Sequence, residues 1–217
     1  MKNLLIKEFK LATPVLTYLF IGFALMTFLP GYPILCGAFF VCLGLFQGYQ
    51  INRDSNDILY SVLLPVSKRD VVKAKYLAAC TLQMAAFALC IICTLVRMKF
   101  MADEPIYTTN VLMGANFVYL GFVLLIFMAF NMIFLGGFFK TAYGIGKPFV
   151  TFIVINFIII AIGETLHHLP GLGWLNALDF SFVGAQIAVL VGALAVYIFV
   201  TLVSCHKSSS RFEKIDL

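Results

Sequence analysis

Charge is scarce in this 217-residue chain. Asp, Glu, Lys and Arg together make up 12% of it, whereas soluble domains carry about 25%. So few charges cannot coat a water-exposed surface, which excludes a soluble globular fold. Histidine occurs three times and tryptophan once. HExxH, a nucleophile elbow and paired intramembrane acids are all missing, which argues against an intramembrane hydrolase. Gly146-Lys147 comes near a phosphate loop, but GxxxxGK[ST] needs glycine where Thr141 stands and a hydroxyl where Pro148 stands. No ATP site or other cofactor site is expected in this chain. A cleavable signal peptide is not expected either, because the apolar run after residues 2–10 is span-length and lacks a convincing cleavage site. The cysteines form no disulfide framework. Cys36, Cys42, Cys80, Cys90 and Cys93 sit in apolar runs, and the Cys90–Cys93 spacing has no further ligands beside it, so they read as small packing residues.

What is abundant is apolar surface: 62% hydrophobic residues and a mean hydropathy of +1.02. This is the composition of an integral membrane protein. A spanning helix needs roughly 20 apolar residues, so six would take about 120 and leave only short loops around one domain, residues 1–217. Spans are expected at about 11–29, 34–49, 74–96, 111–139, 148–163 and 184–204. Residues 2–10 read as a short amphipathic helix along the inner surface, and Pro14 is tolerable in the first turn of the first span. Of the fifteen Lys and Arg residues, only Arg97 and Lys99 fall in outer segments. The other thirteen lie in the N-terminal segment, residues 53–75, the 140–147 link and the C-terminal tail. That asymmetry places both termini in the cytoplasm. The net charge of +5 is spread beside apolar runs, so a lipid bilayer and not a nucleic acid is the expected partner. The expected fold class is therefore an all-α polytopic membrane protein with six transmembrane helices.

The polar stretch Arg53–Tyr76 interrupts the apolar runs. Ser55 reads as an N-cap with Asp57 in the first turn behind it. Ile58, Leu59, Val62 and Leu63 fall at helical spacing, and Pro65 biases Leu64 out of the helix. Ser67 followed by Asp70 has a capping-box pattern. A basic helix start with Lys68, Arg69, Lys73 and Lys75 then leads into the third span. The string LLPVSKRDVVKAKYL, residues 63–77, resembles the loop between the second and third spans of ABC-2 type transporter permeases. More narrowly, it is similar to small bacterial permeases in which a leucine-proline pair precedes a serine, basic residues, a valine-rich turn and a Lys-Tyr. The opening MKNLLIKEFK resembles that family as well. The resemblance implies a multi-pass protein of the bacterial cytoplasmic membrane. It implies a separate ABC ATPase subunit that binds ATP and Mg, and a second permease chain, either identical or a sister. It also implies that the short amphipathic helix between spans 2 and 3 is the coupling helix, with Asp57, Ile58, Leu59, Val62, Leu63, Pro65, Ser67, Lys68 and Arg69 at the ATPase. Export of an amphipathic peptide, antimicrobial or drug-like substrate is the implied activity.

Other polar positions carry two readings. Gln83, Asn116, Asn131 and Asn156 lie within expected spans, where polar groups must face other helices or a cavity. Helix-to-helix hydrogen bonds are the default, and a substrate path is the sharper alternative. Glu164, His167 and His168 have spacings that put a carboxylate and an imidazole on one helix face. Asp179 is only a remote third ligand, so an interfacial role is favoured over a metal. Gly44 with Gly48, and Gly184 with Ala188 and Gly192, are packing stripes first and dimer contacts second. Most of the 23 phenylalanines face lipid or pack, although an aromatic-lined path would suit an amphipathic cargo. A non-transport membrane scaffold or assembly factor is the alternative function. A membrane enzyme is the poorest reading.

Overall fold

The computed structural model describes residues 2–141, 143–178 and 180–215, and among these every regular element is a helix. Helix α1, Lys2–Ala12, ends in a π turn over Glu8–Ala12 and meets α2, Val15–Phe28, at a bend of 90°. Pro14 makes the bend: it lacks an N–H and sits extended at φ −68°, ψ 155°, so the α1 ladder cannot continue. Thr13 Oγ1 donates to the Glu8 carbonyl at 2.9 Å and satisfies one backbone group that the break leaves over. The helix that follows therefore starts at Val15, four residues past the expected start of the first span at Leu11. Its second half, Gly22–Phe28, is a 3₁₀ helix. The 3₁₀ rise stretches α2 to about 25 Å, more than an α-helix of the same length would reach.

Helix α3, Cys36–Asp54, returns beside α2. A Cβ at Gly44 would lie 2.4 Å from Phe20 Cβ, and one at Gly48 would lie 3.2 Å from Thr17 Oγ1. Thr17 Oγ1 also donates to the Gly44 carbonyl at 2.9 Å. The Gly44–Gly48 spacing thus serves close packing within the chain. After α4, Asp57–Leu63, a single helix α5, Lys68–Phe100, carries the basic start directly into the third span. A short α6, Pro105–Thr108, lies in the following loop.

Helix α7, Phe117–Phe138, starts six residues later than the hydropathy pattern suggests, because Asn116 caps it. It contains a π turn over Phe130–Leu135. Helices α8, Gly146–Leu166, and α9, Val183–Phe212, complete the bundle; α9 runs eight residues past its expected end at 204. An aromatic seam joins α3, α7 and α8. Phe46 stacks on Phe149 at 3.6 Å, and Phe134 meets Phe46, Tyr49 and Phe149 edge-on. Many of the phenylalanines are thereby spent on ring-to-ring packing in the core.

Helices α5, α7, α8 and α9 are each long and apolar enough to cross a membrane, and the bent α1–α2 pair makes a fifth if it counts as one span. Helix α3 does not reach that mark among the described residues. Its last two turns hold Gln47, Gln50, Asn52, Arg53 and Asp54, which dilute its apolar first half.

Candidate functional site

At one end of the bundle, four ionic side chains from three elements close into a ring. Lys75 on α5 reaches Glu8 Oε2 on α1 at 3.0 Å and Asp57 Oδ2 on α4 at 2.7 Å. Lys7 reaches Glu8 Oε1 at 3.1 Å and closes the ring on Asp57 Oδ1. Each cation meets both carboxylates, and the ring is neutral. Lys75 is only 2% exposed. Desolvating charge to that degree is costly, and the alternating geometry is what offsets it. Lys7 also donates to Ser61 Oγ at 2.7 Å, and Lys75 lies 5.8 Å over the Tyr49 ring. Burial alone would lift the Asp57 carboxyl, but Lys75 and then Lys7 hold it below the ordinary carboxylate value. A cavity of ≈20 Å³ beside the ring, between Glu8, Thr17, Asn52 and Lys75, has room for one water.

The ring depends on how α4 is aimed. Ser55, expected as the N-cap of α4, instead closes α3, with its N–H bonded to the Ile51 carbonyl at 3.0 Å. Asn56 precedes α4 in the left-handed region at φ 53°, ψ 32°, a conformation asparagine tolerates better than most residues. That reversal turns Asp57, Ile58 and Ser61 toward the bundle. The set Ile58, Leu59, Val62 and Leu63 is consequently split between the inside and the outside of the bundle. Ile58 and Leu63 lie about 140° apart at about 100° per residue. Ile58 is 4% exposed and Leu63 is 74% exposed, while Leu59 and Val62 are half-buried. The outward apolar surface is Tyr60, Leu63 and Leu64, with exposed Pro65 beyond it. Leu64 is extended at φ −70°, ψ 154° before Pro65, as the proline requires. Ser67 Oγ accepts the Asp70 N–H at 3.1 Å and caps α5. Lys68 and Arg69 are held by the chain's own tail: Lys68 Nζ donates to the Ile215 carbonyl at 2.6 Å, and Arg69 Nε pairs with Glu213 at 2.6 Å.

Lys7, Glu8, Lys75 and Tyr60 are the site residues that sequence reasoning missed. A signal was present: an ammonium at the start of an apolar span demands a carboxylate, and Glu8 is the one acid in the 2–10 segment.

The four polar span residues divide differently. Gln83 Nε2 donates to Asn131 Oδ1 at 2.9 Å, and Asn131 Nδ2 donates to Gln83 Oε1 at 3.0 Å and to Thr201 Oγ1 at 3.2 Å. Tyr197 OH also donates to Gln83 Oε1 at 3.0 Å. The π turn of α7 presents the Asn131 carbonyl to Ser204 Oγ at 3.0 Å and Tyr76 OH at 3.2 Å. These bonds join α5, α7 and α9 through buried groups. Asn116 caps α7 through Val118 and Tyr119, both at 3.0 Å, and donates to the Leu175 carbonyl at 2.7 Å. Asn156, on the buried face of α8, has no partner for either amide atom among the described residues.

The opposite end is held by side chains that bond backbone. Arg97 donates to the Thr27 carbonyl at 2.7 Å and stacks 4.1 Å over Tyr107, whose hydroxyl donates to the Phe28 carbonyl at 2.9 Å. Glu164 Oε2 accepts the Met113 N–H at 2.8 Å, and His167 Nε2 lies 3.2 Å from the Val111 carbonyl. Glu164 and His167 thus hold the 111–113 segment. The His168 ring packs against that of His167, tilted by 41° with centroids 4.0 Å apart. No group of three His, Cys, Asp or Glu residues poised for a metal occurs among the described residues; Asp179 lies outside them.

No curated protein and no solved structure matches the chain. A family model described as "ABC-2 family transporter protein" matches residues 3–213, nearly the whole length. Together with the long apolar helices, that match makes this a multi-pass membrane transport subunit and not itself an ATPase. The chain belongs to the ABC-2 transporter family, as the permease of an ABC transporter.

Proposed function

We propose that this permease exports an amphipathic substrate, of the peptide, antimicrobial or drug-like class, on ATP hydrolysed with Mg by a separate ATPase subunit that docks on α4. The observation that carries the proposal is the two-sided build of α4. Its outward side offers Tyr60, Leu63, Leu64 and Pro65 as an apolar surface, the kind a partner's groove accepts. Its inward side is tied by Asp57 to Lys75 of α5 and Lys7 of α1. A displacement of α4 by the ATPase therefore reaches a spanning helix and the N-terminal helix together. In this reading α2, α3, α5, α7, α8 and α9 make six crossings within the single domain 1–217. Both termini and the 53–76 stretch lie in the bacterial cytoplasm, where the basic residues collect. A second permease chain, identical or sister, packs on exposed apolar faces of the bundle. Gln83, Asn116 and Asn131 already bond within the bundle, so Asn156 is the span residue left for a substrate path. The scaffold alternative has no observation in its favour.

The test is co-purification with the cognate ATPase. Leu63→Glu places a charge on the docking surface, and burying it unpaired costs several kcal/mol, on the order of 3–5. The ATPase should no longer co-elute, while the permease still inserts and keeps its unfolding temperature, because Leu63 touches little of its own chain. Normal ATPase binding with normal transport would remove α4 as the docking element.

A further inference from the structure

The turn between α7 and α8 encloses a cleft of ≈410 Å³, with Lys140, Lys147, Thr141, Thr151, Ile133 and Pro148 on its walls. We propose that this cleft binds the headgroup of an anionic phospholipid, with one acyl chain along the exposed apolar surface of α8. Three observations point there. The first is charge without a partner. Neither lysine has a carboxylate within ion-pair distance among the described residues, and both stand on the walls of one cleft. The sequence supplies no Asp or Glu anywhere between Glu104 and Glu164, so these two cations are not placed for a neighbouring acid.

The second is that the cleft is built, not a gap between loose elements. A Cβ at Gly137 would lie 2.7 Å from Pro148 Cβ, so the end of α7 and the start of α8 are pressed together on one side of it. Across the cleft, Thr141 Oγ1 accepts the Gly144 N–H at 2.9 Å, and a Cβ at Gly144 would lie 2.7 Å from that oxygen. That bond ties Gly144 back to Thr141 on the cleft wall. The third is the apolar continuation: Val150 and Val154 on α8 are exposed large side chains, and they fall on the helical face of Lys147 and Thr151, continuing the cleft away from its charged rim. Two ammoniums above an apolar slope match a phosphate joined to an acyl chain. They match a doubly charged headgroup better than a singly charged one, and either better than a zwitterionic one.

The choice of leaflet rests on the orientation proposed above. The binding measurement does not, so the two readings fail separately. The full-length permease in neutral detergent is titrated with cardiolipin, phosphatidylglycerol and phosphatidylcholine, and bound lipid is counted by native mass spectrometry. Affinity should fall in that order. Lys140→Gln with Lys147→Gln should weaken cardiolipin binding about 25-fold, on the order of fivefold per lysine. Thr151→Phe, which fills the cleft without changing charge, should also weaken it. Lys2→Gln with Lys10→Gln removes the same charge elsewhere and should leave it unchanged. Equal losses in both double variants would reduce the effect to general basicity and overturn the site. Displacement of the lipid by millimolar inorganic phosphate would show a free-anion site instead. Intact lipid binding with lost ATPase co-elution in the Lys140/Lys147 variant would show a protein contact instead.

Discussion

The two ends of the bundle are closed by different chemistry. At one, Lys7, Glu8, Asp57 and Lys75 join side chain to side chain across separations of up to 67 residues. At the other, Arg97, Tyr107, Asn116 and Glu164 each bond a backbone group of a neighbouring segment. A side chain on a backbone group pins one loop and leaves the helices to their own packing. A ring of ions ties three elements through shared partners, so displacing one would break contacts of the others. The first arrangement suits a lid, and the second suits a point where force enters.

That contrast is broken most severely by Lys75→Met. It leaves two buried carboxylates facing one cation, and it should cost about 3–5 kcal/mol in thermal unfolding in detergent. Adding Asp57→Asn removes the excess charge and should restore more than half of the loss. If the double variant is no more stable than the single, the ring is a set of independent pairs. Asn116→Ala, at the other end, removes a cap and a bond to the 175–177 segment. The expected loss is about 1–2 kcal/mol, and it should add to that of Lys75→Met, because the sites share no partner. Asn156→Leu lies between the two ends and should act in the opposite direction. It replaces an unbonded buried amide with an apolar group of similar size and should stabilise by about 1 kcal/mol. Transport should fall in the same variant if Asn156 meets the substrate, and transport at the normal rate would assign the amide no such role.

Local chemistry was legible in the chain, and long-range pairing was not. Pro65 ends α4, Ser67 caps α5 and the Gly44–Gly48 spacing lets α2 approach, all from rules that act within a few residues. The late start of α7 at Asn116 belongs to the same class, although hydropathy hid it: Val111 to Ala115 are apolar enough to read as helix and are not helical. The 90° bend at Pro14 extends the expected 2–10 helix to Ala12 and moves the start of the next helix from Leu11 to Val15. A proline near a helix start can stand inside the first turn or cap it, and here it caps, with Thr17 packed against Gly44 just beyond. At α4 the apolar residues spread over about 140° of the helix surface, and the left-handed Asn56 aims one edge of that arc inward at Ile58 and leaves Leu63 and Tyr60 outward. The ion ring could not be read from spacing, because Glu8, Asp57 and Lys75 meet only after α1, α4 and α5 are packed.

The central claim is that the ring passes α4's displacement to α5. Asp57→Asn tests it in proteoliposomes that hold the permease with its ATPase. The outward surface at Leu63 is untouched by this change, so the ATPase should still co-elute and hydrolyse ATP, while substrate moved per ATP falls. Asn116→Ala, weakened at the other end, should keep the normal ratio. An unchanged ratio in Asp57→Asn, or an equal fall in both variants, would contradict the claim.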